Sequence, residues 1–385
     1  MSDYHPYPQL QRAVSYSLDP VRAAKDLQQQ LATVSGLQFV LFFCSAEYEL
    51  PVLAAELKAA FGDLAVAGCT TAGELTPDGY GQSCITAIGF GDSAFSVSAT
   101  LLEDMANFDL SGAQKTVEDL THQCRQRNIA PTKGHTFVLT LLDGLSSLEE
   151  LFLANLNAAL GSIVHFGGSA GDDIHLANTH VYWDGAFHNQ AAVVIMVNTS
   201  REFKVFSSHH MESRDQKLVV TRASAESRTV YQLNAEPAAE VYAKAVGVPV
   251  DQLDHNVFAL NPLAVRMGQE YYVRSIQRVN EDLSLTFYCA VENGIVLTAM
   301  KPGDMLADIE QVLAKISQQI GDPELVLGCD CFLRRLELEH QGEKAAMSEL
   351  LQRHRVVGFN TYGEQIGGMH INQTFTAVAI GRDSR

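Results

Sequence analysis

FVLFFCS (Phe39–Ser45) leads to GCTTAGE (Gly68–Glu74), FVLTLLDG (Phe137–Gly144) leads to GGSAGDD (Gly167–Asp173), and LVLGCDC (Leu325–Cys331) leads to GFNTYGE (Gly358–Glu364). In the first two copies 34 residues separate the opening Phe from Gly73 or Gly171; the third, from Leu325 to Gly363, is longer by four. Each copy reads as apolar strand, helical pattern, second apolar strand, then a small-residue turn closed by Gly and an acid. A near-continuous apolar run marks a strand covered on both faces. A unit repeated along a chain constrains architecture before any other feature. The expected class is α/β: two domains built on mixed β-sheets with flanking helices and a recurring strand-helix-strand-turn unit. The turns then lie at sheet ends, where α/β proteins place binding sites.

Outward from these units, Val21, Ala24, Leu27 and Leu31 recur at helical spacing and predict a helix from Pro20 to Val34. It follows an irregular start, so residues 1–36 read as an N-terminal arm and helix. The apolar pattern breaks at SHHMESRDQK (208–217), which sets a first domain over 37–220 and a second over 221–385. Lys plus Arg is 27 and Asp plus Glu is 45, a formal charge of -18. Nucleic acid and anionic membranes need a basic face, so both are disfavoured as partners. The start of the chain carries no signal-peptide pattern, and no apolar run reaches bilayer length, so a cytoplasmic location is expected. Seven Cys, most of them inside apolar strand patterns, suit reduced thiols better than a disulfide framework.

No phosphate loop, dinucleotide fingerprint, nucleophile elbow or H-E-x-x-H stands anywhere in the chain. A ligand-binding protein therefore ranks above an enzyme. Glu74, Asp172 and Glu364 each follow a turn glycine. They read either as caps of N–H-rich turns or as acids framing a pocket. Cys329 and Cys331 form a lone C-x-C, too few ligands for a zinc site. They sit two apart on one strand face, which keeps a thiol redox or metal-sulfur sensor open. Two segments, FHNQ (187–190) and MHINQTF (369–375), each place a His before Asn-Gln and an apolar strand, as if in equivalent positions. His370 is either a packed core residue or a nitrogen ligand to a metal or haem iron, with His188 the second choice. In the ligand reading Met369, Phe375, Phe359 and Tyr362 form an apolar wall, and Arg334 and Arg335 meet an anionic group such as a propionate. The plain alternative for the two arginines is a solvated helix start.

Taken together, GCTTAGE, GGSAGDD, and GFNTYGEQ with HINQTFTAVAIG resemble FIST-domain proteins, with an N-terminal and a C-terminal FIST domain over residues 37–381. The C-terminal string is most similar to their haem-containing, nitric-oxide-sensing (NosP-like) subgroup. The resemblance implies a sensory, non-enzymatic protein with non-covalent haem b. It implies reversible nitric oxide binding, His370 as axial ligand, and regulation of a partner histidine kinase upstream of biofilm, quorum-sensing or cyclic-di-GMP signalling. A homodimer is left open. The competing reading is a FIST module that senses a small metabolite such as an amino acid, without haem, between Glu74, Asp172 and Glu364.

Overall fold

The computed structural model describes residues 8–383. The three units are present, and each is larger than the repeat visible in the sequence. The first holds the parallel strands Leu37–Ser45 and Ala65–Thr71 joined by helix Leu50–Phe61. A short hairpin (Glu74–Thr76, Gly79–Gly81) and the antiparallel strand Ile85–Gly91 complete it. The second uses Thr136–Leu142, helix Glu149–Leu160, Val164–Ser169, hairpin Val181–Trp183 with Ala186–His188, and Ala192–Thr199. The third uses Leu325–Cys331, two helices (Phe332–Gln341 and Lys344–Arg353), Val356–Thr361, hairpin Glu364–Ile366 with Met369–Ile371, and Phe375–Ile380. The second helix accounts for the four extra residues. Ser83, Gln190 and Gln373 follow the three hairpins at equivalent places and share a left-handed φ of 51°, 50° and 57°.

The units are interlocked by exchange of strands. Phe95–Leu102, running on from the first unit, pairs with Ala192–Thr199 of the second; Phe203–Ser208 passes from the second to Phe375–Ile380 of the third. Leu10–Ser15 closes the ring on Ile85–Gly91 of the first. The segment expected as an irregular arm thus contributes an integral strand. Without it Ile85–Gly91 would be an open edge, which proteins avoid. The hairpins pass in the opposite direction. That of the first unit pairs with Val356–Thr361, that of the second with Ala65–Thr71, and that of the third with Val164–Ser169. Three six-stranded mixed sheets result, each assembled from more than one unit.

Alternation then fixes the layers. Phe39, Leu41 and Phe43 point into one central core with Phe137, Leu139, Leu141, Leu325, Leu327 and Cys329. Val40, Phe42 and Cys44 point outward onto helices Pro20–Leu31 and Leu50–Phe61. This two-sided burial is why the strands read as unbroken apolar runs. A helix enters each unit behind an aspartate: Asp19, Asp109 and Asp304 accept from the N–H of Val21, Gly112 and Ala307.

Residues 211–302 form a fourth, antiparallel sheet with helices Ala238–Val246 and His255–Leu260 around their own core. This insertion lies between the crossing strand Phe203–Ser208 and helix Met305–Ile320. The boundary expected at 220 falls inside strand Met211–Ser224. Charged residues on the exposed face of that strand break the apolar pattern without ending the element. Among the described residues, no helix is long and apolar enough to cross a membrane.

Candidate functional site

The small-residue turns meet at one end of the three sheets and bind one another. Ala72 N–H donates to Asn360 O (2.9 Å) and Asn360 N–H to Gly73 O (2.7 Å). Ser169 N–H donates to Gly363 O (2.9 Å), Gly171 N–H to Thr70 O (3.0 Å), and Asp173 N–H to Thr71 O (3.2 Å). Small residues are required because the backbones touch. A Cβ on Gly144 would overlap the Ala170 carbonyl, and one on Gly171 would lie 2.6 Å from Ala72 N.

Three strand ends surround this junction, and they have different fates. Beside the first unit is a cavity of about 1140 Å³, bounded by Ser45–Tyr48, the start of helix Leu50–Phe61, Thr71, Glu74, loop residues 172–178 and hairpin residues Gly185–Phe187. Beside the second, a cavity of about 480 Å³ is bounded by Asp143, Met105, Asn178 and Gln190. At the third, the insertion fills the equivalent place. Tyr288 packs on Phe332 (centroids 5.7 Å apart), Phe332 packs on Tyr362 (5.2 Å), and Ala259 joins the same cluster.

The larger cavity has acidic walls. Glu74 is fully buried; it accepts from Thr71 Oγ1 (2.6 Å) and Cys84 Sγ (3.2 Å). Burial outweighs these hydrogen bonds and pushes its carboxyl up to about 7. Glu47 accepts from Ser83 Oγ (2.6 Å), and Asp173 pairs with Arg335 (2.5 Å) behind the wall. Burial holds His180 below its ordinary value, favouring the neutral ring. No lysine or arginine lines the cavity among the described residues. The N-terminus of helix Leu50–Phe61 opens onto it with no side-chain cap. The remaining wall is apolar, from Tyr48, Ala54 and Phe187.

The acids expected to frame one pocket separate. Glu74 and Glu364 are true equivalents, each nine residues before a left-handed position; the third equivalent is Val181. Asp172 instead opens an extra loop. Its carboxylate accepts from Leu176 N (2.9 Å), Ala177 N (2.8 Å), Asn178 N (2.7 Å) and the Tyr362 hydroxyl, so it shapes the wall with its acceptor sites filled. Glu364 is buried away from the cavity, with Thr374 N–H (3.0 Å) and Oγ1 (2.8 Å) on one oxygen and nothing on the other. Burial pushes it up to about 8.

The residues expected around a haem do not surround one space. Phe359 stacks on Phe43 (4.5 Å) in the central core, Phe375 packs with Phe206 in the outer core, and Tyr362 is bound to Asp172. Arg334 donates to Asp330 (2.7 Å) and sits 2.9 Å from His210. Arg335 is equally buried, so neither arginine is a solvated helix start. His370 is buried, its ring against Gly363, where a Cβ would overlap Nε2. Its hairpin neighbour Met369 is partly buried. Neither cavity at the strand ends is lined by His370, and its ring is packed against Gly363, so these residues do not fit a haem.

His188 is not the counterpart of His370. His188 faces Val181 in its hairpin, whereas His370 faces Gln365; the register offsets them by one residue and turns them to opposite faces. His188 lies 3.3 Å from Glu103. Cys329 and Cys331 are fully buried, and burial pushes both thiols well up, a poor setting for thiol chemistry. Sequence reasoning missed Glu47, Tyr48, His180 and Phe187. The available signal was position: Ser45–Tyr48 leaves the carboxyl end of a parallel strand.

The family model for the FIST N domain matches residues 38–236, and that for the FIST C domain matches residues 238–367. No curated protein matches the chain. A solved structure described as cyanuric acid hydrolase from A. caulinodans aligns at 9% identity, covering 50% of this chain and 71% of its own, with a TM-score of 0.30. On the two domain matches, which together cover the first two units, the insertion and the third unit as far as Gly367, the chain belongs to the FIST family of signal-transduction sensor domains.

Proposed function

We propose that this FIST chain senses a small zwitterionic metabolite of the amino-acid class, bound in the 1140 Å³ cavity beside the first unit. The observation that carries the reading is the charge of the wall. Glu47 and Glu74 face a space that no lysine or arginine lines among the described residues, so a cationic amine is the favoured guest. The N-terminus of helix Leu50–Phe61, which no side chain caps, suits the ligand's carboxylate through the helix dipole; Pro51 has no N–H, and Val52 and Leu53 N–H donate to Glu49 O. Tyr48, Ala54 and Phe187 offer apolar surface to a side chain. The loop held by Asp172 and Tyr362 connects this wall to the third unit, so a ligand that prefers one arrangement of the loop shifts the conformation a partner meets. A histidine kinase, suggested by the family resemblance, is the partner class proposed. The haem and nitric oxide reading is not favoured, because His370 and its expected wall lie in separate packed regions.

A thermal-shift screen of haem-free protein against the twenty amino acids and simple amines tests the proposal. Stabilisation by a subset, lost in Glu74→Gln, is expected. No stabilisation by any amine, together with a haem spectrum that changes in His370→Ala, would overturn it.

A further inference from the structure

A separate cluster joins three parts of the chain. Glu150 comes from the first turn of helix Glu149–Leu160 in the second unit, Cys289 from the insertion, and His370 from the hairpin of the third unit. One carboxylate oxygen, the Cys289 sulfur and one imidazole nitrogen lie within 4.8 Å of one another. His370 Nδ1 stands 3.5 Å from Glu150 Oε1. The His370 side chain is 2% exposed, yet Nε2 has no hydrogen-bond partner and Nδ1 has only the long contact to Glu150. Buried polar atoms without partners are rare and each calls for an explanation. Glu149, fully buried beside them, also has one carboxylate oxygen without a partner.

We propose that Glu150, Cys289 and His370 form a binding site for a thiophilic divalent transition metal, of which zinc is the type, with the fourth coordination position open. The donor set is the argument. Thiolate, imidazole and carboxylate together suit zinc and its cobalt(II) surrogate, whereas calcium and magnesium take oxygen ligands. Tetrahedral donors around such an ion stand roughly 3.3–3.8 Å apart. The Nδ1–Oε1 separation already fits, and closing the widest gap takes about 1 Å, within reach of side-chain adjustment. Outer contacts hold the ligands in place. Ala290 N–H donates to Glu150 Oε1 (2.8 Å), and Arg228 Nη2 to Glu149 (2.6 Å) and Glu150 (2.5 Å). On metal binding the Cys289 thiol and the protonated His370 ring each release a proton to solvent, and the thiolate and a ring nitrogen take the metal; nothing is oxidised or reduced. The ion would tie the insertion to the second and third units. The site shares no residue with the acidic cavity, so it stands or falls independently of the proposed ligand.

Cobalt(II) titration of untagged, chelator-stripped full-length chain provides the test. One equivalent per chain is expected, with a thiolate-to-cobalt charge-transfer band in the near ultraviolet and tetrahedral bands in the visible, all displaced by one equivalent of zinc. Cys289→Ser should lose the charge-transfer band, and His370→Asn and Glu150→Gln should each weaken affinity at least tenfold. A wild-type chain that shows no thiolate band overturns the assignment without recourse to any variant. So does a band that persists unchanged in folded Cys289→Ser.

Discussion

Replacing Glu364 by Gln should change how stability depends on pH, with a magnitude that follows from burial. Glu364 has no exposed surface, and its carboxyl is raised from 4.5 to about 8. A carboxyl raised in the folded state binds its proton more tightly there than in the unfolded chain. Its contribution is therefore complete below about pH 4.5 and declines as pH rises toward 8. Each pH unit in that window weakens folding by about 1.4 kcal/mol, so the loss between pH 5 and pH 9 is roughly 4 kcal/mol from this residue. Gln keeps an acceptor for the Thr374 N–H and hydroxyl and cannot ionise. Urea unfolding of wild type and Glu364→Gln at pH 5, 7 and 9 reads the effect, because other titrating groups cancel in the difference. The variant should gain on the wild type steadily with pH and overtake it by pH 9. A difference in stability that is the same at pH 5 and pH 9 would refute the reasoning.

Gly144→Ala should destabilise the chain by about 2 kcal/mol or more, since the new methyl would meet the Ala170 carbonyl, a backbone group of the turn junction; chemical denaturation measures it. Deleting residues 1–16 removes the strand that closes the ring on Ile85–Gly91. It should lower the melting temperature and promote self-association through the freed edge, read by light scattering. Because all seven cysteines are buried, a thiol reagent should modify none of them rapidly in the folded chain, and all seven after denaturation.

The central strands were legible because both of their faces are buried, so Phe39–Cys44, Phe137–Leu142 and Leu325–Leu327 show as apolar runs. The exchange between units was not. Hairpin strands of three residues such as Glu74–Thr76 are too short to show a period, and nothing local to them names the strand they join. The arm was hidden for a similar reason. Leu10–Ser15 buries only Leu10, Ala13 and Ser15, with no regular alternation to read, and its partner lies about 75 residues away. Glu74 stood out as an acid after a turn glycine, and its place in a cavity wall followed from that. Asp172 carried the same signal, but the extra loop moved the hairpin nine residues on and gave its carboxylate to backbone N–H groups. Arg334 and Arg335 looked solvated because charge usually is. The partners that bury them, Asp330, His210 and Asp173, include two more than 120 residues distant in sequence. The Glu150–Cys289–His370 cluster draws on the second unit, the insertion and the third unit, so no spacing within one segment announces it.

The measurement that bears most directly on the account is an isothermal titration calorimetry experiment with the best-stabilising amino acid at pH 6 and pH 8, in wild type and Glu74→Gln. An ammonium group binds the ionised carboxylate, and Glu74 ionises at about 7. Wild-type affinity should therefore rise about tenfold between the two pH values and stay nearly constant in the variant. Binding that is equal at both pH values in the wild type, or as tight in Glu74→Gln, would contradict it.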